Sequence, residues 1–126
     1  SNFEIIEIEN KNKNKNSFFI EKTVTSYSNK DAKNKFKVEI DYKQLISTIL
    51  KNSKGDPSKK KLSIDVILTV KNDRDNVLVK QNFNEEFSYD VQSDKFGMAQ
   101  YEENITDNLN SKISNDIIFL LGTLKW

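Results

Sequence analysis

The chain has 126 residues, 36% of them hydrophobic, with 20 Lys plus Arg against 19 acids and a net charge of +1. It therefore fits one domain with a modest core and exerts no general pull on nucleic acid or an anionic membrane. Cysteine and histidine are both absent, which removes disulfides, thiol chemistry, the commonest zinc ligands and the side chain best suited to proton transfer near neutral pH.

No run of about 18 apolar residues occurs and no signal peptide is present in the sequence as given, so the expectation is a soluble body. It begins at Ser1-Asn2-Phe3, already at the edge of a strand, which suggests a trimmed start from which targeting sequence could have been removed. All but one of the basic residues are lysine and asparagine is abundant, a bias read first as AT-rich coding and only second as function.

Residues 3–9 read as a strand with Phe3 and Ile5 on one side and Ile6 and Ile8 on the other, so it carries a bulge or is covered on both faces. The alternating Lys and Asn of residues 10–16 have nothing to bury and predict a mobile, solvated loop. Residues 17–29 are read as a short helix with Ser17 as N-cap, because Ile20, Val24 and Tyr27 keep helical spacing.

Residues 35–50 give a clearer signal. Phe36, Val38, Ile40 and Tyr42 alternate with charged residues, as in a half-buried strand. Toward its end Leu45 and Ile49 make the second face apolar too; a continued strand, covered on both sides there, is favoured over a new helix. Residues 51–61 contain Gly55, Asp56 and the only proline, Pro57, and read as a turn. Its five lysines, Lys51, Lys54, Lys59, Lys60 and Lys61, make it the most basic place in the chain.

Leu62, Ile64, Val66, Leu68 and Val70 form the next strand, and Val77, Val79, Phe83 and Phe87 the one after, with a polar hairpin over residues 71–76 between them. A long amphipathic helix follows, capped by Ser93 or Asp94 and ending at or just beyond Gly122 after about seven turns, roughly 40 Å. Its apolar stripe is Met98, Tyr101, Ile105, Leu109, Ile113, Ile117, Leu120 and Leu124. Its wet face includes Glu102, Glu103, Thr106, Asn110 and Ser114. Phe119, Leu124 and Trp126 at its end are read by default as closing the core.

The order β-α-β-β-β-α predicts an α+β two-layer sandwich, a four-stranded, largely antiparallel sheet with both helices on one face. No repeat or boundary divides residues 1–126, which are taken as a single domain.

No enzyme signature is present. The glycines Gly55, Gly97 and Gly122 lack the neighbours of a phosphate loop. The acid pairs Glu85/Glu86 and Glu102/Glu103 read as solvated surface rather than as a catalytic acid and base. No catalytic residue, metal ligand or cofactor is expected. The lysine cluster can hold an anion, or simply be a solvated hairpin end. Helix, three strands, helix is also the order of double-stranded-RNA-binding domains, but those need bases where this chain has Asp94, Glu102 and Glu103.

Residues 66–121 resemble the C-terminal half of LptE, the lipopolysaccharide-assembly lipoprotein of the outer membrane, in its alphaproteobacterial form. The resemblance lies in Val66-Ile67-Leu68-Thr69-Val70, Val77-Leu78-Val79 and Phe83, then Phe87-Ser88-Tyr89-Asp90 before the helix opening Lys95-Phe96-Gly97-Met98-Ala99-Gln100-Tyr101-Glu102. Asn108-Leu109, Ile113 and Asp116-Ile117 continue it to a final pair of leucines.

It implies a non-enzymatic domain that plugs the outer-membrane β-barrel LptD, binds lipopolysaccharide and sits on the periplasmic face. The family's N-terminal lipid anchor rests on a cysteine that this sequence does not contain. In that picture Lys51, Lys54, Lys59, Lys60 and Lys61 become contacts for lipid A phosphates, with no nucleic-acid partner. The alternatives are a periplasmic accessory domain of another envelope transporter and, further off, a double-stranded-RNA-binding-like domain.

Overall fold

The computed structural model describes residues 2–125. The elements are β1 (Phe3–Asn10), α1 (Lys15–Thr25), β2 (Asn34–Lys51), β3 (Pro57–Lys71), β4 (Val77–Asp90) and α2 (Lys95–Thr123). The four strands form one sheet in the order β1-β2-β3-β4. β1 runs parallel to β2, while β2, β3 and β4 are mutually antiparallel. The parallel pair needs a crossover, and α1 supplies it. The α+β architecture and element order are as expected from the sequence.

β3 is the spine. Leu62, Ile64, Val66, Leu68 and Val70 are fully buried on the face that carries the helices, and strict alternation leaves Lys61, Ser63, Asp65, Ile67, Thr69 and Lys71 on the open face. Phe36, Val38, Ile40 and Tyr42 of β2 join the same core with Ile20 and Val24 from α1 and Met98, Ile105, Ile113, Ile117 and Leu121 from α2. Both helices therefore share one face of the sheet.

In β1 the register shifts between Ile5 and Glu7. The extra residue turns Ile8 to the same core that Phe3 and Ile5 meet and leaves Ile6 outside. The apolar residues on both sides of this strand thus mark a bulge, not a second covered face.

Residues 10–16 differ from the mobile loop that their composition suggests. Asn10 is buried and donates to Ser17 Oγ (3.1 Å) and Glu21 Oε1 (3.2 Å), and Asn12 donates to Asp41 Oδ1 and to the Tyr42 carbonyl. Asn14, not Ser17, caps α1: its side chain accepts from the Asn16 and Ser17 amides, while Ser17 closes a capping box from the third helical position. Asparagine is polar, but its short amide bonds nearby backbone, so a run of it can build fixed turns.

α2 begins as expected. Asp94 Oδ1 and Oδ2 accept from the Phe96 and Gly97 amides, each at 3.2 Å. A Cβ on Gly97 would stand 2.8 Å from Asp94 Oδ2, so glycine is what lets the cap close. The helix continues through Gly122 to Thr123.

The expected stripe faces the core, with Met98, Ile105, Ile113 and Ile117 buried, but the covered surface of the helix is wider than that stripe. Leu121 is fully buried where Leu120 and Leu124 are only partly so, and Thr106 (6% exposed), Asn110 (1%) and Ser114 (0%) are buried instead of wet. α2 lies against both the sheet and α1, so more than one of its stripes is covered. Phe119 is 74% exposed and does not close the core; Trp126 lies outside the described residues.

Candidate functional site

The lysines singled out in the sequence lie at the end of the β2–β3 hairpin. Only residues 52–56 form the turn, since β3 already begins at Pro57. Asn52 organises it: its side-chain oxygen accepts from the Lys54 (2.9 Å) and Asp56 (3.0 Å) amides, and Gly55 takes φ +86°. That left-handed conformation strains any residue with a Cβ.

Because Lys59, Lys60 and Lys61 are strand residues, alternation divides them. Lys59 and Lys61 belong to the open face of the sheet, while Lys51, opposite Pro57, follows two register shifts at the end of the β2–β3 ladder. Lys60 stands on the helix-bearing face and Lys54 on the turn. Of the five, Lys61 has an acid partner, Glu86 Oε2 at 3.8 Å, whereas Lys51, Lys54, Lys59 and Lys60 form no ion pair among the described residues. The structure thus brings Lys59 and Lys61 to one face and sends Lys60 into a cleft.

That cleft, about 560 Å³, opens between the hairpin and the start of α2, where Lys60 and Lys95 face Asp56 and Glu102 beside Pro57 and Met98. Behind it Tyr89 donates to Glu102 Oε2 at 2.5 Å and meets Tyr101 edge to face, with ring centroids 5.8 Å apart. Burial, reinforced by the Glu102 carboxylate, pushes the Tyr89 hydroxyl well above its ordinary pKa. The phenol stays protonated near neutral pH and acts as a donor that fixes Glu102, not as a base.

The acid pairs weighed as catalysts do not converge on a common point. Glu85 accepts from Lys112 at 3.1 Å, while Glu86 is the partner of Lys61. Glu103 lies 3.4 Å from Lys15, while Glu102 receives the Tyr89 hydroxyl. Strand alternation sends Glu85 and Glu86 to opposite faces. Among the described residues no group of three or more acids could hold a metal ion, and no helix is long and apolar enough to cross a membrane.

The residues missed from the sequence form a polar seam beneath α2. Tyr42 donates to Asn110 Oδ1 (2.9 Å), Asn110 donates to Asn16 Oδ1 (3.3 Å), and Gln44 donates to Thr106 Oγ1 (3.2 Å). Thr106, Asn110 and Ser114 recur every four residues, a weak signal of a second covered stripe.

A four-stranded sheet with one parallel edge pair and two helices on one face defines a two-layer α+β class with solved members. The sequence matches no protein-family model and no curated protein. Its structure is similar to that of rare lipoprotein B from Shewanella oneidensis, with TM-score 0.73 at 10% identity over 94% of each chain. It is also similar to a minor lipoprotein from Acinetobacter baumannii, with TM-score 0.71 at 12% identity over 95% of this chain and 90% of that one. A putative lipoprotein from Caulobacter crescentus gives TM-score 0.63 at 9% identity over 92% of this chain and 88% of that one. At these identities the likeness is one of fold.

Proposed function

We propose that this chain is an envelope protein of the LptE kind, a non-enzymatic plug for the outer-membrane β-barrel LptD that binds lipopolysaccharide on its way to the cell surface. The observation that carries the reading is the likeness to rare lipoprotein B over 94% of both chains, with no large insertion or deletion on either side. The open face of the sheet supports it. It is built of charged and polar residues such as Lys37, Glu39, Asp41, Asp65, Thr69 and Lys71, tied by pairs such as Lys71–Glu39 at 3.2 Å, and a wet face suits a water-filled lumen. A lipid anchor on an upstream cysteine holds the protein at the periplasmic side of the outer membrane.

Within this reading Lys59 and Lys61 on the open face, with Lys51 at the strand end, Lys54 at the tip and Lys60 behind, meet the phosphates of lipid A. Several ammonium groups crowded at one hairpin end hold a diffuse phosphate better than one, because their potentials add.

Recovery of the full-length protein together with LptD from detergent-solubilised membranes tests the first claim. Clean recovery as a soluble protein without the barrel overturns it. For the second, replacing Lys59, Lys60 and Lys61 together with Gln weakens lipopolysaccharide binding while leaving the thermal melt in place, since all three lie on the surface. Unchanged binding removes the lysines from the site.

A further inference from the structure

β2 is longer than its outer neighbour. The β1–β2 ladder ends at the pair Asn10 and Ile40; the Lys11 amide then donates to the Ile40 carbonyl (2.9 Å), and Asn12 donates to the Tyr42 carbonyl just beyond. Alternate residues of a strand turn their backbone groups to opposite sides, so these contacts mark the even-numbered residues as the outward ones. Gln44, Ile46 and Thr48 therefore turn backbone groups to an edge beside which no strand lies among the described residues. The β2–β3 register first shifts between Thr48 and Leu50. The regular edge thus runs from Lys43 to Thr48 and stops at that bulge.

The other edges of the sheet are blunted. Along β1 the Asn29 amide donates to the Phe3 carbonyl and the Ile5 amide to Ser28 Oγ, each at 2.8 Å, and Glu7 and Glu9 follow. β4 carries Lys80, Glu85 and Glu86 within its length. Cover and charge of this kind keep an edge from pairing. Residues 44–48, Gln-Leu-Ile-Ser-Thr, hold no charge, no glycine and no proline. Leu45 (65% exposed) on the open face and Ile46 (41%) on the helix-bearing face leave an apolar side chain bare on each side of this edge. The strand is nonetheless fixed: β3 pairs along it, and the Gln44 side chain accepts from Asn16 Nδ2 and donates to Thr106 Oγ1, both at 3.2 Å. A preorganised edge gives up little freedom when a further strand joins it.

The uncommitted charges around the edge are of one sign. Asp41 accepts from Asn12, Asp65 from Asn82 and Asn84, Glu103 is paired with Lys15 and Glu86 with Lys61, while Asp56 lines the cleft with Lys60. Lys43 and Lys51, beyond the two ends of the edge, and Lys54 and Lys59 near the second end form no ion pair among the described residues. We infer that the β2 edge takes up an extended segment of another protein as a fifth strand along residues 43–48, a segment apolar at its centre and acidic at both ends. Its centre covers Leu45 and Ile46 on the two faces, and its ends meet the lysines. A second copy of this chain would bring lysines to lysines. This inference needs only the edge and its charges and stands apart from the barrel reading.

Amide exchange in the isotope-labelled chain tests it, with a peptide that has a Val-Ile-Val-Val centre between Asp-Glu ends. Without peptide the Gln44 and Ile46 amides should exchange fast while those of Leu45 and Ser47, turned toward β3, exchange slowly; saturating peptide should slow Gln44 and Ile46. The same centre between Lys-Lys ends should bind roughly tenfold more weakly at low salt, a gap that narrows as salt is added. Methylating the central backbone nitrogens of the acidic peptide should abolish binding, because its charge remains and its donors are gone. Lys43→Glu with Lys51→Glu should reverse the order of the two peptides.

Gln44 and Ile46 amides that are already slow in the dilute free chain would show a covered edge and overturn the inference. Equal binding of the acidic and lysine-ended peptides overturns it too, as does binding of the methylated peptide, which would place the contact on the lysine hairpin by charge alone. Slowing that grows with chain concentration in the absence of peptide would give the edge to a second copy, and the inference would fall with it.

Discussion

The two halves of β2 carry equal numbers of apolar residues and are unlike in surroundings. In residues 34–42 the strand is paired with β1 up to Ile40 and with β3 from Lys37 on, and Phe36, Val38, Ile40 and Tyr42 are buried. Over residues 43–51 it keeps β3 but has lost β1, and Leu45, Ile46, Ile49 and Leu50 are exposed. Apolar residues occur at comparable density in each half. What differs is which elements extend alongside: β1 gives way to α1 after Asn10, so cover ends where the neighbours end. Stability therefore belongs to the first half. The second half, with the lysine-bearing hairpin it leads into, is left free to make contacts.

The sharpest way to break this comparison is to truncate one side chain in each half. Phe36→Ala removes a fully buried ring and is expected to cost about 3–5 kcal/mol. Leu50→Ala removes a side chain that is 58% exposed and is expected to change stability by no more than about 0.5 kcal/mol. Urea denaturation at low protein concentration reads both. Equal losses would mean that the outer half is held as firmly as the inner.

Tyr42 stands at the boundary between the halves, where its hydroxyl reaches Asn110 under α2. Tyr42→Phe leaves the buried Asn110 oxygen short of a partner and is expected to cost about 1–3 kcal/mol. Burial also pushes the Tyr42 pKa up to about 12, against roughly 10 in an unfolded chain. A raised tyrosine pKa means that the folded protein holds this proton more tightly. The stability it contributes is complete below about pH 10 and is lost as the pH rises through 12. Tyr89 is shifted in the same direction, so Tyr42→Phe should flatten, not abolish, the alkaline fall in stability. A curve with the slope of the parent would show that Tyr42 is not closed off from water.

How much of this was readable in advance follows from range along the chain. β2, β3 and the Asp94 cap were legible because alternation and capping are local patterns. The burial of Asn110 was not, since one of its partners, Asn16, is 94 residues away and belongs to a segment whose composition suggests solvent. The lysines were half legible. Their density marks one end of the molecule, but treating Lys59, Lys60 and Lys61 as turn residues hides the alternation that divides them between faces. The bare edge went unread for a related reason: apolar residues on both sides of a strand suggest cover on both sides, and only the register of β1 shows that the cover stops at Ile40.

The two hairpin turns give the finest test of how the free end is held. Asn52 and Asn72 do the same work. Each accepts from the amides two and four residues on and bonds the backbone of the residue that closes the turn. The fourth position is left-handed in both, Gly55 at φ +86° and Asp75 at φ +66°. Aspartate tolerates that region better than most residues, and Asp75 also reaches Lys37 Nζ at 3.0 Å. Nothing lies within 4 Å of a Cβ built on Gly55, so the cost of Gly55→Ala comes from the backbone alone, about 1 kcal/mol. Gly55→Asn should cost less, because asparagine visits the left-handed region, and Asp75→Gly should stay within about 0.5 kcal/mol, its relief offset by the lost contact with Lys37. Thermal melts rank the three. If Gly55→Ala melts with the parent chain, the turn relaxes at no cost and the lysines at the hairpin tip are not held in one arrangement.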